Sequence, residues 1–382
     1  MRAFRLLTSA VLLVVVLSAP AGATPQPRRG APSACTGAWT VQASPNPATN
    51  GDNSLFGVWG ASASNMWAVG QAGTAALILH YNGSTWKRVA APMVGISEGL
   101  NAISGNSPSS IWAVGMYITK SHVHRTLTLR WNGSSWSHVV SPNVGTGNNA
   151  LFGVSAVVGA GAWAVGERLG STNHTLALHF VGGKWVVVPT PSITDANTIL
   201  SSVANVSSTR ALAVGRTGPS TPEHPTTDGV LEQWDGASWT MPVSPTLSEV
   251  PLYGVTSSSS SDAVAVGTDA SGPIAFDWNG TAWSSNRPDT GSLVDPILVA
   301  VTGTAQSHAW GVGTSSGGGL TLTERWDGVS WTIVPSPSPV PKSGPTVDQL
   351  WAVAQPAGSQ QAWAVGLREE GVRYHTLIEH YC

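Results

Sequence analysis

Trp67-Ala68-Val69-Gly70, followed by Tyr81-Asn82-Gly83-Ser84-Thr85-Trp86, is the stretch that decides the fold. The first part is a short apolar run that ends in Val-Gly, and the second places an Asn-Gly pair between two aromatic residues. An Asn-Gly pair between apolar strands is a strong hairpin signal, because the turn requires positive φ. The stretch therefore predicts a strand that ends at Gly70, a second that ends at Tyr81 and a third that contains Trp86.

The run that ends in Val-Gly recurs seven times along the chain. The terminal glycines are Gly70, Gly115, Gly166, Gly215, Gly267, Gly313 and Gly366. They lie 45, 51, 49, 52, 46 and 53 residues apart. A period of about 49 residues is the size of one four-stranded propeller blade. The sequence therefore predicts an all-β fold, a seven-bladed β-propeller of four-stranded antiparallel blades.

Each repeat is interpreted as four strands, A to D. Strand A begins at a leucine, strand B is the Val-Gly run, strand C ends at the aromatic residue before the turn, and strand D contains the closing tryptophan. The leucines are Leu55, Leu100, Leu151, Leu200, Leu252, Leu298 and Leu350. Proline-rich segments cannot continue a strand ladder and so bound the blades. The predicted blades cover residues 55–92, 100–142, 151–191, 200–245, 252–288, 298–337 and 350–382 plus 35–45.

The seventh repeat is split between the two ends of the chain. His380-Tyr381-Cys382 matches His80-Tyr81-Asn82, and the missing turn and closing tryptophan are supplied by Cys35-Thr36-Gly37-Ala38-Trp39. The N-terminal strand D is therefore expected to join the C-terminal strands A to C and close the ring. Both cysteines lie four residues before a closing-tryptophan position, so closure predicts a Cys35–Cys382 disulfide.

The repeat resembles those of the β-propeller superfamily, with the kelch type nearest. The Asp-Gly-x-x-Trp turn resembles a shortened Asp-box of sialidase-type propellers. The Trp-Ala-Val-Gly pattern looks most like that of a group of secreted bacterial propellers. The resemblance covers residues 35–382 and implies the blade architecture, whereas a shared fold does not by itself imply a function.

Composition and the N-terminal residues indicate a secreted protein. Eighteen basic and 20 acidic side chains give a formal net charge of −2, which argues against a nucleic-acid partner. Residues 1–23 have a basic start, an apolar run and a small-residue cleavage site, as in a secretory signal peptide. Residues 24–34 are expected to form a flexible lead-in. No later stretch is apolar enough to predict a transmembrane segment, and a monomer is expected.

Sixteen of the 18 tryptophans occupy repeated positions, the exceptions being Trp59 and Trp351. A large ring at the same position in each blade is expected to pack neighbouring blades together. Three histidines share the position before the aromatic residue of strand C and are expected to be structural: His80, His179 and His380.

The B–C connections differ most between the repeats, and they lie with the D–A connections on one face of a propeller, here called the loop face. The short A–B and C–D turns lie on the opposite face, here called the turn face. The B–C connections contain many of the charged residues and histidines: Lys120, His122, His124, Arg125, Glu167, Arg168, His174, Glu223, His224, Arg368, Glu369, Glu370, Arg373 and His375. Irregular loops on a rigid scaffold commonly form binding sites.

A set of oxygen-bearing side chains precedes strand A by two or three residues in every repeat: Asp52, Glu98, Asn149, Asn197, Glu249, Asp295 and Asp348. In a closed ring these seven would surround the mouth of the central channel. Carboxylate and amide oxygens suit Ca²⁺, a cationic ligand or a basic protein segment. The alternative is that they are separate, solvated loop residues.

The sequence favours a non-catalytic extracellular scaffold that binds a protein or a glycan through its loop face. The predicted inner strands contain no charged residue, whereas glycoside hydrolysis generally needs two facing carboxyl groups. Two alternatives stay open, a carbohydrate-active enzyme with loop-borne carboxylates and a single-site lectin. A lectin would use exposed aromatic side chains, for which the candidates are Trp59, Trp351, Tyr117 and Tyr374.

Overall fold

A computed structural model describes residues 35–382, except 171–172, 192, 194–195, 219–226, 243–244, 305–306, 316–318 and 339–346. Residues Thr36–Cys382 form one unit. The predicted signal peptide and lead-in lie outside the described residues, as do Glu223 and His224. Among the residues described, no helix is long and apolar enough to span a bilayer.

Seven antiparallel sheets of four strands each make up the described fold. The first strand of the chain is β1 (Trp39–Val41), which belongs to the last blade. Blade 1 comprises β2 (Asn53–Ser62), β3 (Asn65–Ala72), β4 (Ala75–Tyr81) and β5 (Trp86–Val89). Blade 2 comprises β6 (Ser97–Ser107), β7 (Ser110–Ile118), β8 (His124–Trp131) and β9 (Trp136–His138). Blade 3 comprises β10 (Asn149–Val157), β11 (Gly161–Leu169), β12 (Asn173–Val181) and β13 (Lys184–Val188).

The second half of the chain continues the same order. Blade 4 comprises β14 (Asn197–Ser207), β15 (Arg210–Gly218), β16 (Gly229–Trp234) and β17 (Trp239–Thr240). Blade 5 comprises β18 (Leu252–Ser259), β19 (Asp262–Asp269), β20 (Gly272–Trp278) and β21 (Trp283–Asn286). Blade 6 comprises β22 (Pro296–Gly303), β23 (Ala309–Ser315), β24 (Leu320–Trp326) and β25 (Trp331–Ile333). Blade 7 comprises β26 (Asp348–Ala354), β27 (Ala362–Glu370) and β28 (Arg373–Tyr381), completed by β1.

The ring closes as the split repeat predicts. Strand β1 pairs with β28, with Trp39 opposite Tyr381. The carbonyl oxygen of Cys382 accepts hydrogen bonds from the backbone of Thr36 at 2.7 Å and of Gly37 at 2.9 Å. Cys35 and Cys382, the two cysteines of the chain, are disulfide-bonded. Each strand A contacts the strand A of the next blade, and β26 contacts β2, so the seven-bladed fold and its closure are confirmed.

The glycine at the end of each Val-Gly run is required because strand A passes directly over it. A Cβ atom on Gly70 would lie 1.9 Å from the carbonyl oxygen of Ser54, and one on Gly366 would lie 1.7 Å from that of Gln349. No side chain fits at these distances. The repeated glycine therefore sets the close approach of the first two strands in each blade.

The repeated tryptophans pack blade against blade, as expected from their spacing. In five of the seven interfaces the strand B tryptophan of one blade meets the strand D tryptophan of the next edge to face. Trp163 and Trp239 show this geometry, with ring centroids 4.9 Å apart and planes at 81°. Such pairs add to the burial of large rings that dominates core energetics.

The residue opposite each strand B tryptophan completes the packing. His80, His179 and His380 stack on the tryptophans of their own blades, His179 on Trp163 at 4.2 Å. These histidines also form hydrogen bonds through Nε2. Their predicted structural role is thereby confirmed.

Candidate functional site

A β-bulge in strand A brings one residue of every blade to the central channel. In all seven blades the pairing with strand B skips the residue directly after the repeated leucine of strand A. A bulge re-aims the unpaired residue, and bulges are frequent beside binding sites. The seven skipped residues all line the channel: Phe56, Asn101, Phe152, Ser201, Tyr253, Val299 and Trp351.

Large and small side chains alternate from blade 1 to blade 7, and the ring closes with two aromatic residues side by side, Trp351 and Phe56. The aromatic residues belong to the odd-numbered blades, and the even-numbered blades contribute Asn101, Ser201 and Val299. A narrow channel does not accommodate seven large rings at one level, so alternation lets the side chains fit. The alternation leaves space next to the small residues of blades 4 and 6.

That space is a cavity of about 430 Å³ at the loop-face end of the channel, here called the mouth cavity. Its lining residues are Phe152, Ile199, Ser201, Arg216, Tyr253, Ile297, Val299 and Trp351. All eight are half-buried, so they have the accessible surface that a ligand needs. Largely apolar walls with a few polar groups are typical of small-ligand and peptide pockets of roughly 300–1,000 Å³.

Arg216 is the one charged residue among those that line the mouth cavity. It directly follows Gly215 in β15, where its backbone pairs with Ile199 and Gly229. Its guanidinium carbon lies 5.7 Å from the centre of the Tyr253 ring, a cation–π contact between blades 4 and 5. The strand and the ring together hold the positive charge at the rim of an apolar pocket.

Glu167 occupies the same repeat position in blade 3. Its carboxylate accepts a hydrogen bond from the Asn173 side-chain amide at 2.8 Å. Burial raises the pKa of Glu167, while the Asn173 hydrogen bond and the positive charges of Arg216 and His124 act to lower it. The loop face next to the mouth cavity therefore contains both a carboxyl group and a guanidinium on adjacent blades.

The seven predicted ring residues fall into two groups with different environments. Glu98, Asn149 and Asp348 stand two residues before the leucine and are buried, with 3%, 0% and 1% of their surface exposed. The Glu98 carboxylate accepts the backbone N–H of Val94 at 2.8 Å, and Asn149 accepts that of Val144 at 3.0 Å. Burial is the main cause that raises the pKa of Asp348 to about 6.

The other four predicted ring residues stand three residues before the leucine and are more exposed: Asp52, Asn197, Glu249 and Asp295. The first two form hydrogen bonds with the preceding blade. Asp52 accepts the backbone N–H of Tyr374 at 3.0 Å, and Asn197 accepts that of Asn173 at 2.8 Å. Asn148, which sequence reasoning missed, does the same for His124 at 2.9 Å. These side chains therefore fasten D–A connections to the neighbouring B–C connections.

The described residues contain no group of three or more His, Cys, Asp or Glu side chains that could hold a metal ion. The seven oxygen-bearing residues are thus placed around the loop face and are not brought together at one point. Calcium binding by this set stays a prediction.

Several charged B–C residues stabilise loops. Arg125 donates to the backbone carbonyl of Gly147 at 2.8 Å, and Arg368 forms a 2.7 Å ion pair with Glu370. Of the aromatic candidates, Tyr117 packs near His138 with ring centroids 6.5 Å apart. Tyr374 is 38% exposed at the start of β28.

The two tryptophans outside the repeat lie at opposite ends of the channel. Trp351 lines the mouth cavity, and Trp59 lines a separate cavity of about 490 Å³ on the turn-face side. The turn-face cavity is formed mainly by small and backbone groups, including Gly60, Gly105 and Ala357, and none of its lining residues is charged.

Sequence reasoning noted Trp351 but missed the ring to which it belongs. The bulged position carries six different residue types in seven blades, so a search for repeated residues passes over it. The signal that would have found it is its constant place, directly after the leucine of strand A. The prediction that strand A begins at this leucine is correct for Leu252; in the other six blades the strand begins two or three residues earlier.

Comparison with solved structures shows similarity to β-propellers along most of the chain. A structure of YCF48 bound to D1 peptide matches with 14% identity and a TM-score of 0.54, over 90% of this chain and 96% of that one. YCF48 from Cyanidioschyzon merolae matches with 15% identity and a TM-score of 0.54, over 90% and 98% of the two chains. U3-55K matches with 11% identity and a TM-score of 0.58, over 91% and 99%. No protein-family model and no curated sequence matches this chain. At these identities the similarity establishes the fold alone: this chain is a seven-bladed β-propeller.

Proposed function

We propose that the protein is a secreted, non-catalytic scaffold that binds an extracellular partner in the mouth cavity. The observation that carries the proposal is the cavity itself, about 430 Å³ in volume and lined by half-buried aromatic and aliphatic side chains around a single guanidinium. An apolar pocket with a few polar groups is the default hypothesis for the place where a protein binds its ligand. The pocket is formed at positions that vary between blades, whereas the tryptophan and glycine positions that pack the blades recur.

The composition of the mouth cavity supports binding over catalysis. None of its eight lining residues is a carboxylic acid, a histidine or a cysteine. Glycoside hydrolysis generally uses two carboxyl groups that flank the scissile bond. If the protein were a hydrolase, its catalytic carboxyl groups would therefore have to lie on other parts of the loop face.

Secretion is supported by two features of the chain. Residues 1–23 have the pattern of a signal peptide, and the single disulfide joins the chain ends. Disulfides persist mainly in oxidising compartments, outside the cytosol.

A lectin is a second candidate, favoured by half-buried aromatic rings in one cavity. Tyr253 and Trp351 both line the mouth, and aromatic side chains often provide the platforms on which sugars lie. Trp59 offers a comparison at the other end of the channel, since it is also outside the repeat.

Selection of ligands on the purified protein tests the proposal. A random peptide library and a glycan array are screened against the wild type, against Trp351→Ala and against Trp59→Ala as the matched control. We expect binders whose affinity falls at least about tenfold in Trp351→Ala and is unchanged in Trp59→Ala. Binders that retain full affinity for Trp351→Ala would contradict the assignment of the site, and catalytic turnover of a bound glycan would contradict the non-catalytic role.

A further inference from the structure

We infer that the mouth cavity binds the C-terminal end of an apolar peptide segment, with Arg216 pairing with the terminal carboxylate. The inference rests on the proposed function and names the chemistry of its partner. Three features of the cavity lead to it: an uncommitted cation, an apolar enclosure and strand edges that face the channel.

Several arginines have no hydrogen bond or ion pair with a described residue, and Arg216 is the one of these that lines the mouth cavity. Arg287 pairs with Asp269, Arg368 pairs with Glu370, and Arg125 donates to loop carbonyls. Arg216 forms no hydrogen bond and no ion pair with any described residue, and its one contact of note is the Tyr253 ring at 5.7 Å. A guanidinium held by its stem and one face retains its five N–H donors, which match the two oxygens of a carboxylate.

The electrostatic surroundings favour an anion over a neutral ligand. Among the described lining residues Arg216 provides the only charge. This charge also acts on Glu167 of the adjacent blade, with which Arg216 forms no ion pair. The low-dielectric wall formed by Ile199, Tyr253 and Trp351 strengthens the attraction of a carboxylate that displaces water there.

The rest of the cavity suits an apolar side chain next to that carboxylate. Phe152, Tyr253 and Trp351 come from three different blades and enclose the space beside the small Ser201. An aliphatic or aromatic side chain placed between them would be removed from water on several sides. Burial of such a side chain is worth roughly 1.5–3 kcal/mol.

Strand A favours a peptide over a small organic acid. In each blade strand A is hydrogen-bonded to strand B on one side only, so its other edge faces the channel. Part of this edge is bridged by hydroxyl groups: Ser104 accepts the backbone N–H of Ala156 at 3.1 Å, and Ser202 accepts that of Val255 at 3.3 Å. The remaining backbone groups can pair with the amides of a peptide, which a simple carboxylic acid lacks.

Paired peptides that differ only at the C-terminus test the inference. Hexapeptides ending in Leu, Ile, Phe or Trp are labelled at the N-terminus, prepared as free acids and as C-terminal amides, and titrated by fluorescence anisotropy. We expect the acids to bind roughly tenfold or more tightly than the amides. Arg216→Gln should remove this difference, and Arg88→Gln, which changes an exposed arginine on β5, should preserve it.

The outcomes separate this inference from the proposed function. Acids and amides that bind equally, with affinity lost in Trp351→Ala, would overturn carboxylate recognition and leave the binding site in place. An acid preference that survives in Arg216→Gln would overturn the role of Arg216. Tight binding of decanoate or indole-3-propionate without binding of any peptide acid would overturn the choice of a peptide. Failure of all these ligands to bind would overturn the inference as a whole.

Discussion

Trp163 and Trp351 are the same kind of side chain in two different regions of the propeller. Trp163 belongs to the repeat, is 1% exposed, and lies between the Trp239 ring and the His179 imidazole. Trp351 is bulged out between Leu350 and Ala352, is half-buried and lines the mouth cavity. The first is held on all sides by protein, and the second faces a space that protein does not fill.

The difference separates the residues that make the fold from those that make the site. The tryptophan and glycine positions recur because neighbouring blades pack against one another in the same way at each interface. The bulged position faces the channel, where symmetry is not required, and the seven blades provide six different side-chain types there, with phenylalanine in blades 1 and 3. Variation at a fixed structural position is therefore the feature that identifies the candidate site.

Trp163→Ala should have the largest effect on stability. Removal of a buried tryptophan leaves a cavity at the interface of blades 3 and 4, and such changes cost about 3–5 kcal/mol. The free energy of unfolding from urea denaturation measures the loss. A loss below about 1 kcal/mol would contradict the interface role of the repeated tryptophans.

Cys35→Ser should follow, because the disulfide fastens the strand that completes blade 7. Closing a long loop stabilises proteins by about 2–4 kcal/mol in typical cases. The melting temperature of the variant should be lower than that of the oxidised wild type and equal to that of the reduced wild type. Two reactive thiols in the native wild type would contradict the closure.

Glu232→Leu should raise stability in a pH-dependent manner. Glu232, Glu324 and Glu379 are fully buried at the position that holds Leu79 or Phe276 in other blades. Burial raises the pKa of the Glu232 carboxyl from 4.5 to about 8, so the folded state binds a proton that the unfolded state releases. The contribution of this group to stability is complete below pH 4.5 and is lost as the pH rises through about 8.

The gain for Glu232→Leu at pH 8.5 should be about 1–3 kcal/mol and smaller at pH 5, as measured by urea unfolding at both values. Glu232→Gln is the control, because it removes the titration and keeps a polar group in the core. If the wild type and Glu232→Gln show the same change in stability between the two pH values, the buried carboxyl does not titrate as described.

Trp351→Ala should have the smallest effect on stability, within about 1 kcal/mol of the wild type, because its ring already faces a cavity. The free energy of unfolding from urea denaturation measures this effect as well. A loss as large as that of Trp163→Ala would show that Trp351 is part of the core, and the distinction between the two regions would fail.

The fold could be predicted from the sequence because its determinants recur. Seven glycines mark seven close approaches of strand A, and a half-repeat at each end of the chain predicts the closure at Trp39 and Cys382. The exact pairing could not be predicted, since the bulge after Leu350 shifts every following residue by one position relative to strand B. Sequence periodicity does not reveal such a shift.

The candidate site was harder to predict, because the contacts of its residues depend on three-dimensional packing. Residues two and three positions before the leucine look alike in sequence, yet Glu98 is buried in β6 and accepts a hydrogen bond from Val94, whereas Asp52 accepts one from the preceding blade. The D–A connections differ in length and composition, so their burial follows from three-dimensional packing. Arg216 carries no sequence signal of its own, because its importance depends on Tyr253 of the next blade.

The most direct test of the central claim is one titration of Trp351→Ala and the wild type with the same selected ligand, combined with melting curves of both proteins. The account predicts at least about tenfold weaker binding by the variant and closely similar melting temperatures. Equal affinities would show that the mouth cavity is not the binding site.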